Sequence, residues 1–73
     1  MDAVAEIARK LKEARKAKGL SQRALARLAG VPQSHISKIE TTGVDLRISS
    51  LTEIARALDL ELTLVPRKNV SAV

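Results

Sequence analysis

The chain has 73 residues, no cysteine and no aromatic residue, and it carries a net charge of +5. This length allows a single small domain, and the lack of cysteine excludes disulfides and thiolate metal sites. One histidine cannot build a zinc site alone, and without phenylalanine, tyrosine or tryptophan the chain cannot stack nucleic-acid bases on these side chains. We therefore expect no cofactor and no metal, and a small core stabilised by close helix packing or by dimerisation.

The positive charge is concentrated in the first half of the chain. Residues 1–38 contain nine basic and three acidic side chains, whereas residues 39–73 contain four basic and five acidic ones. A basic region favours a polyanionic partner, although a solvated helix face explains the same bias. Because no apolar run is long enough to span a membrane and no secretory signal is evident, we expect a cytoplasmic protein with no membrane partner.

The chain begins with two predicted helices. In the first, apolar residues recur every three or four positions and form one stripe, namely Val4, Ile7, Ala8, Leu11 and Ala14. Gly19 is expected to end this helix. The hydroxyl of Ser21 suits the cap of a second, short helix, which Gly30 ends.

A third helix is predicted to begin near Pro32, because the fixed φ of proline suits a helix start, and to run through Glu40. Ile36 and Ile39 are its inward residues. Residues 41–45 are predicted to form a loop.

A fourth helix follows, capped by either Asp45 or Ser49 and ended by Asp59. Its apolar face comprises Ile48, Leu51, Ile54, Ala55 and Leu58. Residues 60–65 then alternate between leucine and other side chains, a period of two that is typical of a β-strand.

The predicted strand has no partner within its own chain, so its backbone N–H and C=O groups need one elsewhere. We infer a symmetric homodimer in which this strand pairs with its copy through Leu60, Leu62, Leu64 and Val65. The alternative is that these residues form an extended tail or an extra helical turn.

Residues 19–40 are the part of the sequence most informative about function. Two short helices meet at a tight turn, residues 29–32, which is a helix-turn-helix arrangement. In this motif the second helix enters the major groove of DNA and presents side chains to base edges. Here that helix offers an amide, two hydroxyls and an ammonium group, from Gln33, Ser34, Ser37 and Lys38. Such groups bond to base edges, but they also form the ordinary polar face of a surface helix.

The stretch resembles the helix-turn-helix of the phage-repressor superfamily, also called the XRE or Cro family, over about residues 5–60. The matching residues are Arg15, Gly19, Leu20, Ser21, Gln22, Leu25, Ala26, Gly30, Gln33, Ile36, Ser37, Ile39 and Glu40. The resemblance implies an all-α, phage-repressor-like bundle of four to five helices, to which this chain adds one short C-terminal β-strand pairing across a dimer. The expected organisation is a DNA-binding domain (1–59), a dimerisation strand (60–66) and a flexible tail (67–73).

The resemblance also implies roles for individual side chains. Base reading is assigned to Gln33, Ser34, Ser37 and Lys38, and a phosphate contact to Gln22. Beside this glutamine, the residues themselves offer Ser21, Arg23 and His35 as further phosphate contacts, with Arg47, Lys16, Lys18 and Arg27 as weaker candidates. The alternative for His35 and for the weaker candidates is a solvated side chain without a contact. The glutamine matching Gln22 also often braces the first residue of the recognition helix. Arg15 and Glu40 correspond to an ion pair that links the first helix to the end of the third. Pro32 departs from the pattern, because the family more often has a serine or threonine cap there.

The end of the chain, residues 56–69, is similar to HipB-type antitoxins, which append a strand to the repressor fold and pair it across a dimer. This likeness implies a repressor of its own operon that binds a pseudopalindromic operator on double-stranded DNA and a HipA-type serine/threonine kinase toxin. It also implies a place in the cytoplasm at the bacterial nucleoid.

Two other functions remain open, a stand-alone regulator of the same family without a toxin and a protein-interaction module that has lost DNA reading. An enzyme is not expected, because the sequence contains no nucleophile, base and acid set.

Overall fold

The computed structural model describes residues 3–42 and 47–66, and these residues form four helices. They are α1 (Ala3–Ala17), α2 (Gln22–Ala29), α3 (Gln33–Thr42) and α4 (Ile48–Ala57). The predicted all-α helix-turn-helix bundle is confirmed, and no β-strand occurs among the described residues. Residues 60–66 belong to neither a helix nor a strand in the single chain. The pairing of this segment across a dimer stays a prediction.

Three of these helices end in the same kind of turn, the Schellman motif, which needs one residue in the left-handed region. In each, an amide beyond the helix donates to the carbonyl five residues earlier, from Leu20 to Arg15, from Val31 to Ala26 and from Leu60 to Ala55. Gly19 and Gly30 provide the left-handed residue after α1 and α2, each with φ of 72°. Asp59 does the same after α4, with φ of 59°. The predicted helix ends at both glycines and at Asp59 are therefore confirmed.

The starts of α2 and α3 are stabilised in different ways. The Ser21 hydroxyl accepts a hydrogen bond from the Ala24 amide at 3.0 Å and caps α2, as predicted. At the start of α3 the His35 amide donates to the Pro32 carbonyl at 3.0 Å. Proline therefore begins the turn through its backbone carbonyl and its fixed φ, without the side-chain cap that serine or threonine supplies.

Two predicted boundaries are wrong. The sequence predicts a loop from residue 41, but residues 41–42 continue α3, and the Thr42 hydroxyl donates to a carbonyl one turn earlier at 2.9 Å. The bond runs from Thr42 to the carbonyl four residues earlier, the spacing of one α-helical turn, which agrees with a helix that continues to this residue. Residue Arg47 precedes α4 without a side-chain capping bond, and Ser49 lies inside the helix. The other candidate cap, Asp45, and the rest of the predicted loop lie outside the described residues.

The core lies where the four helices meet. Its buried apolar side chains are Ala8, Leu11, Leu25, Ala26, Ala29, Ile36, Ile39, Ile54, Ala55 and Leu58. Leu25, Ile36 and Ile54 come from three different helices and are almost fully buried. Burying a side chain of this size stabilises the fold by about 1.5–3 kcal/mol. The core therefore holds α3 in place through the inward face that the sequence predicts.

Some residues of the predicted apolar faces are not buried in the single chain. Val4 and Ile7 at the start of α1 are 38 % and 37 % exposed, and Ile48 at the start of α4 is 79 % exposed. Periodicity identifies the residues that share a helix face, but it does not tell how far the neighbouring helices extend along that face. In α1 the buried part of the stripe begins only at Ala8.

Replacing Gly30 tests the turn between α2 and α3. A Cβ at this position would meet nothing within 4 Å, so the cost of a side chain is backbone strain alone. We expect Gly30→Ala to lower the free energy of unfolding by about 1–2 kcal/mol. Gly30→Asn should cost less, because asparagine tolerates the left-handed region better. Chemical denaturation followed by far-UV circular dichroism measures both, and a larger loss for asparagine would indicate crowding instead of strain.

Candidate nucleic-acid interface

The face of α3 opposite the core is polar and accessible. Gln33, Ser34 and Lys38 are exposed, and Ser37 is half-buried. These positions are spaced by one helical turn, so the four side chains lie on one face of the first two turns. Amide, hydroxyl and ammonium groups at such positions have the hydrogen-bonding capacity to distinguish base pairs in a major groove.

The start of α2 brings together three of the predicted phosphate contacts. The Ser21 hydroxyl already caps the helix as an acceptor, but its own hydrogen remains available to an anion. Arg23 is exposed and forms no ion pair within residues 3–42 and 47–66. The first amides of a helix and its dipole also favour an anion at this end. The arrangement suits a phosphate.

The other predicted phosphate contacts lie on separate elements. His35 is half-buried in the first turn of α3, and Arg47 is exposed just before α4. Lys18, one of the weaker candidates, donates from Nζ to Oδ2 of Asp59 at 2.6 Å. This contact ties the end of α1 to the end of α4 and occupies a donor that a phosphate would otherwise use.

Arg15 and Glu40 lie in direct contact between α1 and the last part of α3. Arg15 donates from Nε to Oε2 of Glu40 at 2.7 Å and from Nη2 to Oε1 at 2.9 Å. Its third nitrogen, Nη1, donates to the Leu20 carbonyl at 2.6 Å. The two side chains are only 10 % and 3 % exposed. Two parallel bonds between a guanidinium and a carboxylate fix distance and orientation together.

Gln22 makes a contact that the sequence does not reveal. Its Nε2 donates to Oε1 of Glu40 at 3.0 Å, which joins the start of α2 to the same carboxylate. The resemblance instead implies a brace between this glutamine and the first residue of α3. Gln22 and Glu40 are 18 residues apart, so no local spacing or helical period connects them.

The environment of the ion pair shifts both pKa values toward the charged forms. Burial raises the pKa of Glu40, but the hydrogen bonds from Arg15 and Gln22, with the charges of Arg15 and Lys12, outweigh burial and lower it below the ordinary value. The hydrogen bond to Glu40 raises the pKa of Arg15 against the opposite effect of burial. Glu40 is therefore ionised at neutral pH and is protonated at a lower pH than an ordinary glutamate.

The described residues contain no group of three histidine, cysteine or acidic side chains that could hold a metal ion. No helix in this part of the chain has both the length and the apolar character needed to cross a membrane.

A family model described as helix-turn-helix matches residues 11–65. An uncharacterized HTH-type transcriptional regulator of Sinorhizobium fredii, y4dL, is 45 % identical over 67 residues, which are 92 % of this chain and 34 % of that protein. The chain therefore spans about a third of the length of this curated relative.

Solved structures resemble the chain in fold. The restriction-modification controller protein C.AhdI from Aeromonas hydrophila is 34 % identical with a TM-score of 0.73, over 80 % of this chain and 88 % of that one. A chain of a HipA-HipB-O2-O3 complex is 26 % identical with a TM-score of 0.81, over 90 % of this chain and 93 % of that one.

The lowered pKa of Glu40 predicts a loss of stability in acid. A carboxyl whose pKa is lower in the folded than in the unfolded chain stabilises the fold above its ordinary pKa of about 4.5, and this stabilisation is lost as the pH falls through the folded value. We expect the free energy of unfolding to decrease as the pH falls below about 4.5. We expect Glu40→Gln to be less stable at neutral pH but to lose less over this range.

Urea denaturation at several pH values measures this difference. Glu13→Gln is the matched control, because Glu13 is a largely exposed carboxylate whose partner is the exposed Arg9. It should keep the pH dependence of the original protein. An equally steep loss in Glu40→Gln would show that other groups cause the acid sensitivity.

Proposed function

The chain belongs to the helix-turn-helix family of DNA-binding transcriptional regulators, and we propose that it is a dimeric repressor that reads a specific operator through α3. The observation that carries this proposal is the construction of α3. Its inward side is anchored by Ile36 and Ile39, while its polar side remains accessible next to the left-handed turn at Gly30. A rigid helix with an accessible polar face is what base reading requires.

Within this proposal, four side chains of α3 contact bases. Gln33 is suited to bond to N6 and N7 of an adenine, and Lys38 to donate to O6 and N7 of a guanine. The hydroxyls of Ser34 and Ser37 fit either a donor or an acceptor on a base edge. A good contact of this kind discriminates between bases by about 1–3 kcal/mol.

A second set of side chains holds the DNA backbone and sets the position of α3. We assign Ser21, Gln22, Arg23, His35 and Arg47 to this set. Phosphate contacts carry no sequence information directly, but they fix the register of the protein on the duplex. In the described part of the chain Arg23 and Arg47 form no ion pair, and both are exposed, which favours them as donors to an anion.

We further propose that residues 60–66 form the dimerisation strand, after a DNA-binding domain of residues 1–59 and before a flexible tail of residues 67–73. The exposure of apolar side chains supports this, because Leu64 is 98 % exposed and Leu60, Leu62 and Val65 are also exposed. Leucines on every second residue of an extended segment are suited to a two-stranded sheet. The two copies of α3 would lie about 34–36 Å apart, one DNA turn, on a pseudopalindromic operator.

The finer biological role has two candidates. The structural likeness to a chain of the HipA-HipB-O2-O3 complex supports an antitoxin that represses its own operon and binds a HipA-type kinase toxin. The likeness to a restriction-modification controller protein supports a regulator without a toxin. A kinase encoded beside this gene that co-purifies with the chain favours the first, and its absence favours the second. Either role places the protein in the cytoplasm with the DNA.

The two glutamines at the proposed interface should differ in their effect on DNA binding. Selection from genomic fragments should recover one inverted repeat with the original protein. Gln33→Ala should lose discrimination at one base pair in each half-site, by about tenfold or more. Gln22→Ala should weaken binding to all sequences alike, because a phosphate contact is the same at every base pair.

Titration of labelled duplexes at two salt concentrations measures both effects, and the label belongs on the DNA because the protein has no tryptophan or tyrosine. An unchanged base preference in the Gln33→Ala variant would show that Gln33 does not read a base. Recovery of random fragments only, with affinity collapsing as salt rises, would contradict sequence-specific repression and favour the protein-interaction alternative.

The dimer can be tested at Leu64. Because this side chain is almost fully exposed in the single chain, Leu64→Asp should not destabilise the domain. It should abolish the dimer and strongly weaken operator binding, because a charge would then lie in the sheet between two subunits. Ile48→Asp is the control, an exposed apolar residue outside the segment. Sedimentation velocity gives the outcome, and a Leu64→Asp variant that remains dimeric would refute strand pairing.

A further inference from the structure

We propose that Glu40 is a positioning residue for the DNA backbone contact, because its carboxylate orients the Gln22 amide at the start of α2. The inference rests on the proposed function, since it concerns the glutamine that we assign to a phosphate. It assigns a DNA-binding consequence to a largely buried acid in the last turn of α3, which is not itself among the proposed DNA contacts.

The chemistry of the contact determines which end of the amide faces inward. An ionised carboxylate only accepts hydrogen bonds, so Glu40 selects the nitrogen of Gln22 and excludes the amide oxygen. The Nε2 to Oε1 distance is 3.0 Å, and the lowered pKa of Glu40 keeps the carboxylate ionised. A phosphate is also an acceptor, so only the second hydrogen on the same nitrogen can reach it. The carboxylate therefore fixes the position of the nitrogen that a phosphate needs.

Glu40 is itself held in place. It accepts two bonds from Arg15, and Arg15 is anchored by the Leu20 carbonyl in the turn that leads into α2. Among the described residues no buried side-chain nitrogen or oxygen lacks a partner, so this network is complete without DNA. A donor that is ordered before binding loses less conformational entropy when the DNA arrives.

The charge of Arg15 resolves an electrostatic difficulty. A lone carboxylate near a phosphate would repel it, but the bidentate contact with Arg15 compensates the negative charge of Glu40. The pair therefore orients the glutamine without opposing the DNA. If charge repulsion alone mattered, removing any acidic side chain would strengthen DNA binding. The positioning role instead predicts that removing the Glu40 carboxylate abolishes the contribution of Gln22.

A double-mutant cycle on operator affinity tests the proposal. The four proteins are the original chain, Gln22→Ala, Glu40→Gln and the double variant, each shown to be folded by circular dichroism at the titration temperature. In the original background Gln22→Ala should weaken binding about tenfold, the scale of a hydrogen bond to a charged group. In the Glu40→Gln background the same change should cost less than about twofold. An amide at position 40 has one acceptor oxygen for three donors and a donor group beside it, so it no longer selects the nitrogen of Gln22.

Two further variants complete the design. Glu13→Gln is the charge control, because it removes the same charge from the surface of α1 and leaves the contact between Glu40 and Gln22 intact. In this background Gln22→Ala should keep its full tenfold cost. Should Glu40→Gln not fold, Glu40→Asp retains the charge and withdraws the carboxylate by one methylene, and it should likewise reduce the cost of Gln22→Ala.

An equal cost of Gln22→Ala in the original and the Glu40→Gln backgrounds would overturn the proposal. A reduction seen equally in the Glu13→Gln background would also overturn it, because the effect would then come from the change in charge and not from the contact with Glu40. The proposed function fails differently, since the original protein would then select no operator at all.

Discussion

The buried contact between Arg15 and Glu40 is the interaction on which the rest of the structure depends. It joins α1 to the end of α3, and through the Leu20 carbonyl and the Gln22 amide it also reaches the turn before α2 and the start of α2. A buried charge without its partner costs about 3–5 kcal/mol, a large part of the stability that a small domain has. The two parallel bonds of the pair fix how the end of α3 lies against α1, and the bond from Gln22 extends this contact to the start of α2.

The apolar core and this polar network fix α3 from two sides. Ile36 and Ile39 pack into the core along its inward face, while Glu40 is bound at its end. The opposite face carries the polar side chains of Gln33, Ser34, Ser37 and Lys38, all of them exposed except the half-buried Ser37. A similar division holds at α2, where Leu25 and Ala26 are buried and the first residues are polar.

In the single chain, the C-terminal segment (residues 60–66) has exposed apolar side chains and a backbone that is not paired in a sheet. Residues 60–66 follow directly from the left-handed turn at Asp59, which is bound to Lys18 at the end of α1. That contact gives the segment a defined starting direction, yet its leucines are exposed and its backbone forms no strand within one chain. The proposed dimer would bury these leucines and pair the backbone of the segment at the same time. Dimerisation is a common way to stabilise a domain that is too small to bury its apolar residues alone.

The sequence by itself determined the four helices, most of their ends and the polar face of α3. These features depend on local chemistry, namely apolar periodicity, the Ser21 hydroxyl and the conformational freedom of Gly19 and Gly30. The sequence predicts a loop from residue 41, but α3 continues through Thr42, whose hydroxyl donates to the Lys38 carbonyl. Only the tertiary structure decided the contacts of Gln22 with Glu40 and of Lys18 with Asp59, 18 and 41 residues apart. Contacts between such distant residues depend on how whole helices pack, and no local pattern records that packing.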